Sequence, residues 1–141
     1  MRALRIAVTG ACLLLMTACA GGAQAADGQT VNVVLDEYMV MLDSNSISAG
    51  KVTFQIANQG YEKHEFVILR TDLSVDSLPS DTSTNKLLEE TTDIVHVSEL
   101  DGVGPGEQKN LEVVLPPGRY LLVCNYPGHA HQGMVAVLTV T

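Results

Sequence analysis

Apolar residues in this chain recur at every second position, and that period limits the fold more than any other feature. Val52, Phe54 and Ile56 alternate with Lys51, Thr53 and Gln55, and Leu111, Val113 and Leu115 alternate with Asn110, Glu112 and Val114. Successive side chains of an extended strand point to opposite faces, so a period of two commits these segments to half-buried strands. Further strands are expected over residues 31–35, 38–42, 62–69, 94–97, 119–124 and 134–140. Turn-forming clusters separate them: Ser48-Ala49-Gly50, Asn58-Gln59-Gly60, Gly102-Val103-Gly104-Pro105-Gly106 and Pro116-Pro117-Gly118. About eight short strands punctuated in this way imply an all-β sandwich or barrel.

Residues 72–101 break the rhythm. They carry eight acids and a single Lys or Arg, Lys86. Residues 84–90 are the one expected helix, capped by Thr84, with Leu87-Leu88 as a small apolar contact. The segment reads as a short, acidic, partly helical insertion beside the sandwich and not as a domain.

The N-terminus has the pattern of an export signal. Arg2 and Arg5 precede an apolar stretch from Ile6 to Met16 that is too short to span a bilayer, and small residues follow, ending in Ala23-Gln24-Ala25. Two cuts compete. Cleavage after Ala25 would release a body of residues 26–141, whereas Met16-Thr17-Ala18-Cys19 resembles a lipobox, which would leave a lipidated Cys19 as a membrane tether. Both place the domain outside the cytoplasm, in the periplasm or beyond. The 116 residues after Ala25 suffice for one domain with a single core. They hold six Lys and Arg against sixteen Asp and Glu, a net charge of −10 with His neutral. Such a body repels nucleic acid and favours partners with basic docking surfaces. A monomer is expected.

Of three cysteines, Cys12 and Cys19 lie in the leader, which leaves Cys124 unpaired in the body. An unpaired thiol in an exported protein needs an explanation, and metal ligation supplies one. Cys124, His129 and Met134 are spaced C-x4-H-x4-M, and His64 opens an upstream strand. Thiolate and thioether favour Cu(I), imidazole also accepts Cu(II), and two His with one Cys and a weak axial Met is the electron-transfer copper pattern. A strand ending at Cys124, and another returning from Met134, bracket a loop constrained by Pro127, Gly128 and Gly133. His64, Phe66 and Ile68 share one strand face and Glu65, Val67 and Leu69 the other, so an inward His64 could meet the same ion.

These residues carry a family resemblance. Gly50-Lys51-Val52-Thr53-Phe54, Asn58-Gln59-Gly60, His64, Pro117-Gly118-Arg119-Tyr120, Cys124-Asn125-Tyr126-Pro127-Gly128-His129 and Gly133-Met134 occur in the order seen in cupredoxins. Over residues 30–141 the chain resembles a small type 1 blue copper protein of the plastocyanin, auracyanin and rusticyanin kind. The resemblance implies a Greek-key β-sandwich holding one copper ion on His64, Cys124, His129 and Met134. It also implies single-electron carriage between a protein donor and a protein acceptor, with docking at the His129 edge beside Pro127, Gly128, Ala130 and Gly133. Glu65 stands directly after His64, where many cupredoxins carry Asn.

Other readings are weaker. A copper carrier would hand over the ion itself, and a copper-free interaction module would lack one. A thiol hydrolase would need a group to orient His129 and an oxyanion-hole motif, neither of which is evident, so no enzyme is expected. His131 is read as exposed and outside the ligand set, His96 has no ligand spacing to the other histidines, and Met39 and Met41 read as packing residues.

Overall fold

The computed structural model describes residues 28–141. The leader, with both competing cleavage positions and Cys19, lies outside the described residues. Eleven strands form two facing sheets and a small hairpin. The first sheet runs in the order β2 (Met39–Leu42), β1 (Gln29–Asp36), β4 (Gly50–Asn58), β9 (Gln108–Leu115). The second runs β3 (Ser46–Ile47), β11 (Val135–Val140), β10 (Gly118–Val123), β5 (His64–Arg70), β8 (Val95–Val103). Pairing is antiparallel except for β1 with β4 and β3 with β11. The chain changes sheet at β2–β3, β3–β4, β4–β5, β8–β9 and β9–β10, as in a Greek-key sandwich.

The expected alternation is realised in the first sheet. Val52, Phe54 and Ile56 of β4 and Val31, Val33 and Leu35 of β1 are buried, while Lys51 and Gln55 face outward. Across the sandwich they meet Phe66, Ile68, Tyr120, Leu122, Cys124 and Met134 in one apolar core. The Phe54 and Phe66 rings lie 5.3 Å apart at 53°, a tilted aromatic pair. The Tyr120 hydroxyl, at the edge of this core, donates to the Pro116 carbonyl at 2.7 Å and so braces the Pro116-Pro117-Gly118 turn.

Strand β5 does not alternate, because both its faces are covered: every residue from His64 to Leu69 is buried. Phe66 and Ile68 enter the main core, as does Cys124 at the end of β10. Val67, Leu69, Leu121 and Val123 point the other way and pack with Leu87, Ile94 and Ala130 in a second cluster. Leu87 and Ile94 come from the acidic insertion, so this segment forms the outer lid of the second sheet.

Two local expectations are corrected. Residues 84–90 are not helical: β6 (Ser80–Asp81) pairs with β7 (Lys86–Leu87) as a hairpin. The Asp81 carboxylate accepts from the Ser83 N–H at 2.8 Å and its hydroxyl at 2.7 Å, which starts a turn in place of a helix, and Asn85 completes it at φ 55°. The Leu87 N–H donates to the Asn125 side chain at 2.7 Å and the Leu87 carbonyl accepts from it at 3.0 Å, so neither group is free for helical pairing. Among the described residues the only helical turns are short 3₁₀ pieces, Val75–Ser77 and Ala130–Gln132. The turn expected over residues 102–106 also begins later, because Val103 pairs with His64 and its carbonyl accepts from Asn58 Nδ2 at 2.8 Å.

Candidate metal centre

The centre is assembled from the β4–β5 turn and the loop between β10 and β11. In the first, the buried Asn58 side chain organises the turn: Nδ2 donates to the Glu62 carbonyl at 2.7 Å and Oδ1 accepts from the Gly60 N–H at 2.9 Å. The Glu37 carboxylate accepts from the N–H groups of Tyr61 (2.6 Å) and Glu62 (3.0 Å), and these bonds hold its carboxyl below the usual range. Both devices fix the backbone that leads into His64.

The second segment is equally constrained. The Cys124 N–H donates to the Met134 carbonyl at 3.1 Å and the Met134 N–H to the His129 carbonyl at 3.1 Å, which closes the loop on itself. Gly128 (φ 86°) and Gly133 (φ 105°) take the left-handed backbone that the reversals require. The 3₁₀ turn Ala130–Gln132 carries the chain back toward Met134.

His64, Cys124 and His129 come together. His64 Nδ1 lies 3.9 Å and His129 Nδ1 3.4 Å from Cys124 Sγ, and these donor atoms fall within 4.8 Å of one another. The imidazole rings are 5.3 Å apart at 65°. His64 and Cys124 have no exposed surface, and the His129 side chain is 12% exposed. Met134 is fully buried in the same cluster as Cys124. His131 is exposed on its 3₁₀ turn and stands outside this group.

The electrostatics fit a soft cation. Burial pushes the Cys124 thiol above its ordinary pKa, with a smaller upward contribution from the Glu65 charge, while N–H donors of Glu65 and Tyr126 act in the opposite sense. Burial, then the nearby His129, pushes His64 down, so its imidazole is held neutral and available as a ligand. His64 Nε2 forms no hydrogen bond and lies 3.9 Å from Glu37 Oε1, so Nδ1 is the nitrogen that faces the sulfur. The set of one thiol, two imidazoles and one thioether suits copper above other first-row ions.

Several neighbours were not apparent in the sequence. Tyr38 and Tyr126 stand edge-on to the His129 ring at 5.4 and 5.8 Å, and Glu62 Oε2 lies 3.4 Å from His129 Nε2. Tyr38 and Glu62 reach His129 from separate turns, so no local pattern announces them, whereas Tyr126 belongs to the His129 loop itself. The Glu65 N–H donates to Cys124 Sγ at 3.5 Å, a backbone bond that does not depend on which side chain follows His64. Its carboxyl is buried, and burial pushes its pKa up. The surroundings of His129 are also corrected: Pro127 is exposed as expected, but Gly128 and Ala130 are buried. The Gly128 N–H donates to the Asn85 carbonyl of the insertion at 2.8 Å, and Ala130 packs against the insertion's Leu87 cluster.

A family model described as the sulfocyanin (SoxE) domain matches residues 41–141. No curated protein matches the sequence. Among solved structures, the fold is similar to a dithionite-reduced auracyanin from Roseiflexus castenholzii, with a TM-score of 0.58 and 23% identity over 81% of this chain and 98% of that one. It is similar to auracyanin A, a "blue" copper protein from Chloroflexus aurantiacus, with a TM-score of 0.52 and 20% identity over 79% and 99% of the two chains. Rusticyanin from Thiobacillus ferrooxidans gives a TM-score of 0.54 and 20% identity over 82% and 79%. The family match, the sandwich and the donor set agree: the chain belongs to the sulfocyanin (SoxE) family of cupredoxins, whose bound cofactor is a single copper ion.

Proposed function

We propose that His64, Cys124, His129 and Met134 hold this copper as a type 1 centre, and that the protein carries single electrons between a protein donor and a protein acceptor. The observation that carries the reading is the convergence of two imidazole Nδ1 atoms on one buried sulfur, on a frame fixed by backbone bonds. Bound copper supplies a Cu(II)/Cu(I) couple with a thiolate ligand.

The protein's own part is positional. The loop closure between Cys124 and Met134 and the Asn58 bracing keep the ligands in place, so little needs to move between oxidation states. The buried Cys124, His64 and Met134 exclude water from the centre. His129 is the ligand that reaches the surface, and its rim of Tyr38, Tyr126 and Glu62 is where an electron would leave or enter. The Glu62 carboxylate, with those of the insertion, would attract a basic partner surface and speed encounter. Export with or without a lipid at Cys19 belongs to the same reading, and the mass of the mature N-terminus decides between the two cuts.

Repeated reduction and reoxidation in the presence of a Cu(I) chelator tests the function. An electron carrier retains its metal and recovers its colour, whereas ready loss of Cu(I) to the chelator would mark a copper carrier instead.

Two substitutions probe the tuning of the centre. Met134→Leu is expected to keep the copper and its colour and to raise the reduction potential, because a thioether would be the weakest of the four donors and its loss would disfavour Cu(II). Complete failure to bind copper would assign Met134 a larger part. Glu65→Gln removes a buried carboxyl near the sulfur and is expected to raise the potential at pH values above that carboxyl's folded pKa, where it carries a negative charge.

The same carboxyl gives a pH signature in the metal-free protein. Its folded pKa is raised, so the folded state binds more protons than the unfolded chain once the pH exceeds the ordinary glutamate value. Wild-type stability relative to Glu65→Gln therefore falls as pH rises from about 4.5 through the folded pKa. Denaturant titrations at several pH values check this, and a pH-independent difference would contradict it.

A further inference from the structure

A second group of metal-binding side chains lies on the outer face of the second sheet, between the acidic insertion and β8. His96 Nε2 is 3.7 Å from Glu89 Oε2 and 3.5 Å from Glu99 Oε2. This nitrogen is buried at the atomic level and has no hydrogen-bond partner. Adjacent ligands of a tetrahedral zinc ion at its usual bond lengths stand about 3.4 Å apart, close to both separations. We propose that Glu89, His96 and Glu99 form a site for a divalent first-row cation of the zinc type, distinct from the copper centre.

A register shift in the sheet creates the site. Residues three apart on a regular strand point to opposite faces, which would separate His96 from Glu99. The β5–β8 ladder shifts between Ile68 and Leu69, so that His96 pairs with Leu69 and Glu99 with Val67. Val67 and Leu69 share the outer face, and both β8 side chains therefore project there. Strand irregularities of this kind re-aim side chains and are over-represented near functional sites.

The third ligand is also held in advance. Glu89 Oε1 accepts from Asn125 Nδ2 at 2.7 Å, which leaves Oε2 turned toward His96. Asn125 is almost fully buried and its other bonds fix Leu87, so the carboxylate sits on a rigid support of the kind that orients metal ligands. The three side chains remain partly exposed, at 29%, 31% and 52% for Glu89, His96 and Glu99, which gives the ion an entry path and lets water complete its coordination. Two carboxylates and an imidazole match the charge and ligand preference of zinc. An ion here would pin the insertion to the edge strand β8 and, through Asn125, to the residue that follows Cys124.

Zinc could also enter the Cys124 centre, so the test uses the full protein loaded with one equivalent of copper. Equilibrium dialysis against Zn2+, followed by metal analysis, is expected to give one additional equivalent on the wild type. His96→Gln and Glu99→Gln should weaken this binding by at least the roughly 10- to 100-fold that loss of an outer-shell partner costs a metal site. At zinc concentrations near the wild-type Kd, zinc should raise the thermal midpoint of the wild type and move that of Glu99→Gln, a change at a half-exposed position, far less. The difference between wild type and variants reads this site whether or not the other centre holds copper. Equal zinc uptake by wild type and both variants, or no uptake beyond copper, would overturn the proposal and leave His96 as a simple ion-pair partner of the two carboxylates.

Discussion

Cys124→Ser is expected to abolish the intense visible absorption of the copper-loaded protein while leaving the sandwich folded. The absorption arises from charge transfer between thiolate and Cu(II), and Cys124 is the only cysteine among the described residues. Serine is nearly isosteric, and the backbone bonds that hold the loop, from the Cys124 N–H to Met134 and from the Met134 N–H to His129, do not use the sulfur. Only the ligand chemistry should change: a hydroxyl, a poor ligand for Cu(I), replaces a soft donor. Circular dichroism separates loss of colour from loss of fold. A variant that stayed blue would remove Cys124 from the ligand set.

Phe66→Ala is expected to cost about 3–5 kcal/mol of stability, the range for removing a phenyl ring from a packed core. Phe66 is fully buried, pairs with Phe54 at 5.3 Å, and lies on the strand that begins at His64. Its loss would leave a cavity between the sheets, and neighbours held in a paired ladder on both sides of β5 can collapse into it only in part. Urea denaturation of the metal-free protein measures the effect without the added stability of a bound ion. A loss below about 1 kcal/mol would mean that the core repacks far more freely than its interdigitation suggests.

Much of this architecture can be read from alternation alone, where one face of a strand is wet. Strands β1 and β4 show it most clearly, with Val31, Val33, Leu35, Val52, Phe54 and Ile56 inward and polar residues between. The proposed ligands stand out in the sequence for another reason: Cys and His are few in this chain, and Cys124, His129 and Met134 sit at short spacing around glycines. The structure brings His64, Cys124 and His129 together and buries Met134 beside Cys124.

What the sequence hid depends on contacts between distant segments. The residues around Leu87 resemble a short helix until Asn125, 38 residues away, takes both backbone groups of Leu87. Glu37 braces the turn before His64 from 24 and 25 residues upstream of its partners. His96 and Glu99 fall on opposite faces by simple parity, and only the shifted ladder with β5 brings them to one side. Local propensity carries no trace of a partner chosen by topology.

X-ray absorption at the copper edge tests the central assignment most directly, because it reports the atoms bonded to the ion. The wild-type Cu(II) protein is predicted to show two nitrogen scatterers and one sulfur at bonding distance, with a second sulfur farther out. A shell of nitrogen and oxygen alone, with no sulfur, would contradict it.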